Sequence, residues 1–168
     1  MKPLAVACAL AGVLCAQQFK INLDHLEAKA SSKVDLAFDS TWLRFGGTFM
    51  DSKDPDEAKA KKIISGLEGL YVKHFEFKTE GQYTQGDVDQ IRNQLKPPEW
   101  SRLVGIKSAE DGENLEVWVR SKDNKASGVA IIAADPRSLT VVNLVGNVDL
   151  ESLAALGGRS GIPKMKKK

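Results

Sequence analysis

The stretch GVAIIAADPRSLTVVNLVG, residues 128–146, is apolar on both sides of an extended backbone. Two β-rich runs, 129–134 and 140–145, flank a charged turn. Along the first run Val129, Ile131 and Ala133 share one side, while Ala130, Ile132 and Ala134 share the other. Inner strands covered on both faces read this way, whereas a sheet with one wet face alternates. The first expectation is that the chain's own helices cover both faces. The second is that the small, alanine-lined face receives a partner or a lipid-like ligand. Asn143 in the second run is expected to be a hydrogen-bonded core amide, because an unbonded buried polar group costs about 1–3 kcal/mol.

The remaining pattern supplies the helices. Leu23 and Leu26 predict a short helix over 22–30, and Val34, Leu36 and Phe38 alternate as a strand. Asp39 or Ser40 then caps a segment with Trp42, Phe45 and Phe49 at i, i+3 and i+7, and Leu43 and Met50 beside them. Gly46 and Gly47 weaken that helix by about 1 kcal/mol each. Asp54-Pro55-Asp56-Glu57 is the clearest helix start: a capping Asp, a proline for the first turn and a Glu to close a capping box. Ala60, Ile63, Ile64 and Leu67 form its stripe, with Gly66 and Gly69 at its end. A strand over 70–78 points Tyr71, Phe75 and Phe77 one way and His74, Glu76 and Lys78 the other.

Thr84 and Asp87 open another helix, faced by Val88, Ile91 and Leu95 and stopped by Pro97-Pro98. Strands over 103–108, 115–120, 128–134 and 139–145 follow, separated by short turn-rich links. Asp149 caps a last helix with Leu150, Leu153 and Leu156, closed by Gly157-Gly158. The expected fold is α+β: a mainly antiparallel sheet with a C-terminal four-strand meander and helices packed on it.

Composition changes the picture at the two ends. MKPLAVACALAGVLCA, residues 1–16, reads as a signal peptide with a lysine start, an apolar run of twelve and small residues before Gln17. Cleavage after Ala16 is expected, and twelve apolar residues are too few for an ordinary spanning helix. Both cysteines, Cys8 and Cys15, fall inside it, so the processed chain has none and relies on its core. Residues 17–163 read as a single domain and 164–168 as a basic tail. Without Lys2, 23 basic residues face 22 acidic ones; without the tail's four lysines, 19 face 22. That body offers no phosphate-binding field, so no nucleic-acid partner is expected. The tail suits an anionic lipid surface, but a solvated terminus explains it as well.

GLEGLYVKHFEF, GQYTQGDVDQIRNQL, PPEWSRLV, GENLEVWV and above all GVAIIAADPRSLTVVNLVGNVDLESLAALGGRSGIP resemble the bacterial family called domain of unknown function 4252. The likeness runs from about residue 19 to Pro163. It implies an exported envelope protein of about this size, with no established reaction, cofactor or catalytic residue to carry over.

Candidate chemistry is sparse. His25 and His74 are far apart, and neither HExxH nor a mature-chain cysteine supports a metal centre. GGRSG at 157–161 lacks the spacing of a nucleophile elbow and follows a helix rather than a strand. Asp51, Asp54 and Asp56 lack the glycine and later glutamate of a calcium loop. A Glu76–Glu116 pair is the remaining acid–base candidate. No catalytic residue, metal or cofactor is expected.

Leu115, Val117 and Val119 face one way on their strand, and Glu116, Trp118 and Arg120 the other. If the aliphatic set lies under the helices, Trp118 is displayed between two charges, a composition enriched at interfaces. Otherwise a helix or loop of the same domain covers it. Trp118, Arg120, Glu116 and His74 are therefore the candidate partner-binding residues, and Trp100 reads as a loop anchor. The expected role is a non-enzymatic exported protein of the periplasm or cell envelope that binds another envelope component in sensing or assembly. A periplasmic carrier of a small apolar ligand, with Phe75, Ile132 and Val141 lining its pocket, is the first alternative. A hydrolase of unknown type is the second.

Overall fold

The computed structural model describes residues 19–151. The expected signal peptide, the basic tail, the GGRSG stretch and most of the last helix lie outside them. The first ordered element is a single 3-10 turn, Asp24–Leu26, where the sequence predicts a longer helix. Then come β1 (Ser32–Asp39), α1 (Ser40–Gly47), α2 (Pro55–Gly66), β2 (Leu67–Glu76), α3 (Gln85–Arg92), β3 (Trp100–Lys107), β4 (Asn114–Lys122), β5 (Lys125–Asp135) and β6 (Ser138–Gly146).

The six strands form one antiparallel sheet in the order β1-β2-β6-β5-β4-β3. The chain is an α+β protein with the expected meander, β3 to β6, joined through β6 to the earlier β2–β1 pair. Both runs of the opening stretch are inner strands. The β4–β5 link is tight because Asp123 and Asn124 both adopt positive φ, as a two-residue hairpin link requires.

Helix starts follow their caps. Asp39 accepts the Thr41 and Trp42 N–H groups, and Asp54 those of Asp56 and Glu57. Glu57 does not close the expected box; it accepts the Asp51 N–H, which draws the α1–α2 link onto the helix. Thr84 and Asp87 form a full capping box at α3. Leu67 opens β2 rather than continuing α2, since its backbone is extended.

Both faces are covered by the chain itself, as first expected. On one face Phe75, Ala130, Ile132, Leu139 and Val141 pack with Leu23, Leu26, Val88, Ile91 and Leu95 beneath the 3-10 turn and α3. Phe75, Ile132 and Val141 are thus filled core rather than a pocket lining. On the other, Val119, Val129 and Leu144 pack with Leu43 of α1, Ile63 of α2 and Val148. This second cover is partial. Val34, Leu36 and Phe38 of β1 lie on the same face by register with His74, Val72 and Leu70, and stay exposed. Trp100 begins β3 and is buried in the α3-side core, so it is a core residue rather than a loop anchor. Among the described residues no helix is long and apolar enough to cross a membrane.

Candidate functional site

Glu116, Trp118 and Arg120 point to the α3 side of the sheet, because they pair with Ile132, Ala130 and Gly128 of β5. The structure therefore takes the covered arrangement. Glu116 is only 3% exposed, which corrects the picture of Trp118 flanked by two open charges. Arg92 of α3 reaches its Oε1 with Nε at 2.7 Å and Nη2 at 2.5 Å, and Trp118 Nε1 donates to Oε2 at 3.1 Å. Arg92 Nη1 also donates to Asp89 at 2.7 Å. The bond from Glu116 is the foremost influence on Arg92 and, with Asp89, holds its guanidinium above the ordinary range despite burial. Trp118 is half-buried, packed on the α3-side core, with Arg102 Cζ 5.9 Å from its ring centre.

Arg120 lies on the same face and donates to Glu99 at 2.9 Å. His74 does not join this group. It lies on the opposite face of β2, where Nδ1 meets the Thr140 hydroxyl at 2.8 Å and Nε2 stands 3.5 Å from Glu76. Of the four sequence candidates, Glu116 and Trp118 touch, Arg120 shares their face, and His74 is divided from them by the sheet.

The acid–base candidates are dispersed in the same way. Glu76 is exposed on the His74 face and Glu116 is buried on the other, so no substrate can lie between them. His25 Nε2 meets Asp87 at 2.7 Å at the start of α3. Burial pushes the Asp87 carboxyl up, but the Thr84 N–H and hydroxyl and His25 outweigh it and hold the group below its ordinary value. Asp54 caps α2, and Asp51 accepts the Lys53 N–H. Among the described residues no group of three His, Cys, Asp or Glu side chains is placed to hold a metal ion.

Two features outside these contacts bear on function. The first is a cavity of about 300 Å³ at the end of the α3 face, lined by Phe19, Gly69, Tyr71, Trp100, Arg120, Gly128, Asn143 and neighbours. Gly69 and Gly128 leave the space: a Cβ on Gly69 would come within 2.9 Å of the Tyr71 ring. Asn143 on the inner strand β6 is 1% exposed, and its Nδ2 has no hydrogen-bond partner. Its place in the core is as expected, but the expected hydrogen bond is not made at Nδ2.

The second is on α1. Leu43 and Gly47, at i and i+4, are its buried face, and a Cβ on Gly47 would lie 3.9 Å from Ile64 of α2. That close approach turns the aromatic stripe outward. Trp42, Phe45 and Phe49 are 62%, 56% and 75% exposed, stacked edge to face with centroids 6.1 and 5.0 Å apart.

A family model described as Domain of unknown function (DUF4252) matches residues 26–156, most of the chain. The protein belongs to this family. No curated protein matches the chain. Family membership thus names no reaction, and the function of this DUF4252 member has to be argued from its own surface and cavity. Sequence reasoning missed both features. The ridge is visible in the sequence as a spacing, but apolar Leu43 and Met50 beside the three aromatics leave its outward side undetermined. The cavity's signal is two glycines, Gly69 and Gly128, which the structure places inside β2 and β5.

Proposed function

We propose that this protein is a non-enzymatic, exported component of the bacterial envelope that works by holding another envelope component against the α1 ridge. One observation carries the reading: Trp42 and Phe45 of α1 and Phe49 of the turn after it stand together on the side away from the buried Leu43 and Gly47. Single exposed apolar residues are ordinary, but a contiguous aromatic cluster marks an interaction surface. Stacked rings on a capped helix lose little freedom on docking, and aromatic residues dominate the energetics of protein interfaces. The leader-like residues 1–16 support export. The dispersal of His25, His74, Glu76 and Glu116 favours binding over catalysis.

Replacing Phe45 with a photo-crosslinking residue and irradiating cells of the host tests this directly. A discrete envelope component attached at Phe45, and lost when Trp42 and Phe49 are changed to Ser, is the expected result. An absence of any envelope adduct in folded protein overturns it.

The cavity favours a second reading, a carrier of a small apolar ligand bearing one acceptor oxygen. Asn143, whose Nδ2 is unmet, is among its lining residues, with the rings of Phe19 and Trp100, 6.2 Å apart. Native mass spectrometry of protein from its own host would then show a bound mass that disappears in Asn143→Leu. A clean mass in the parent protein removes the carrier.

A further inference from the structure

The two edges of the sheet differ. At one edge, β3 pairs with β4 through a register shift between Arg102 and Val104, and such a bulge blunts an edge against further pairing. At the other, β1 pairs with β2 without a shift over all eight residues, from Ser32↔Glu76 to Asp39↔Gly69. Every residue of β1 is exposed, and Val34, Leu36 and Phe38 form an apolar row on one side. Inward-pointing charges usually guard such an edge. Here those charges are neutralised within the chain: Lys33 pairs with Glu27, and Asp35 with Lys73.

We propose that β1 pairs antiparallel with β1 of a second copy of this chain, across a two-fold axis at Leu36, to make one continuous sheet. The strand selects this register among the near-central ones. An axis at Asp35 would set Asp35 directly opposite Asp35 of the other copy. An axis at Ala37 would set Asp35 opposite Asp39. An axis at Leu36 instead places Leu36 opposite itself, Val34 opposite Phe38, and Lys33 opposite Asp39, an apolar row on one face and opposite charges on the other. Asp39 spends only Oδ1 on the Thr41 and Trp42 N–H groups at the start of α1. Directly facing residues in a cross-strand pair share a face, so all three apolar positions of each copy meet apolar partners. The pairing hides the long, regular β1 edge that the sheet leaves open among the described residues. It does not use the α1 ridge and does not rest on the proposed function.

The register can be read by crosslinking. Facing Cα atoms on antiparallel strands lie about 4.5–5.5 Å apart, within disulfide reach. In the full chain with Cys8→Ser and Cys15→Ser, Leu36→Cys should convert to a covalent dimer under mild oxidation. Leu103→Cys, more exposed than Leu36 but on the β3 edge, should not. The parent should sediment as a dimer at tens of micromolar, and Leu36→Lys as a folded monomer with unchanged circular dichroism. A monomeric parent at that concentration overturns the proposal. So does a Leu36→Cys protein that crosslinks no faster than Leu103→Cys, since any dimer would then use another surface. Leu36→Lys keeps Trp42, Phe45 and Phe49, so capture of an envelope component at the ridge succeeds or fails separately.

Discussion

Replacing Arg92 with Met should be among the most damaging single changes on the surface of α3, and the reason lies in Glu116. In the parent, the carboxylate receives two bonds from Arg92 at 2.5–2.7 Å and one from Trp118 at 3.1 Å. At about 4 Å between charge centres and an effective dielectric near 20, the pair attracts by roughly 4 kcal/mol before desolvation is counted. Removing one partner of a buried pair costs about 3–5 kcal/mol, because the other charge is stranded. Arg92 is about a quarter exposed, so water softens the loss, and roughly 3 kcal/mol is expected. Glu116→Leu strands less. Arg92 keeps Asp89 and its water, leaving chiefly the Trp118 N–H unmet, for about 1–2 kcal/mol. The double variant should be close to Glu116→Leu alone, a coupling of about 2–3 kcal/mol. Urea titration followed by tryptophan emission measures each corner of the cycle. An Arg92→Met protein within about 0.5 kcal/mol of the parent, or a double variant far less stable than Glu116→Leu alone, would refute the argument.

Two further outcomes follow from named contacts. Asp87 is held below its ordinary value of 3.8, so its stabilisation is present above that pH and is lost as pH falls through the depressed folded value. Asp87→Asn should therefore cost about 1.5–3 kcal/mol at pH 6 by urea titration, with the gap to the parent closing on the acid side. A gap that stays constant down to pH 2 would show that the charge is not what matters. Gly146 closes β6 at φ 119°, and a Cβ there would come within 2.6 Å of the Gly66 carbonyl oxygen and 2.7 Å of the Glu68 nitrogen. Gly146→Ala should cost roughly 3 kcal/mol by thermal or urea melting, against little loss for Gly81→Ala beyond its own backbone strain, since nothing lies near that position.

The parts of the fold that could be read ahead of the structure are those set by neighbours in sequence. Asp54-Pro55 and Thr84…Asp87 start their helices through bonds spanning three residues or fewer, and the meander turns are equally local. What could not be read depends on which strands lie side by side. Arg92 and Glu116 are 24 residues apart, and only the placement of α3 across the β4–β5–β6 region brings them together. Until that placement is known, Leu115-Glu116-Val117-Trp118 alternates equally well with either side inward. Double cover removes the usual hint, because a half-buried tryptophan and a fully buried glutamate both sit on a face that is dry. The same reasoning explains the ridge. Among the described residues, α1 and α2 cover the Val119–Val129–Leu144 end of the second face but not β1. A hydropathy pattern records how much apolar surface the chain carries. It does not record that α1 and α2 stop short of β1, at the place where an association surface is then available.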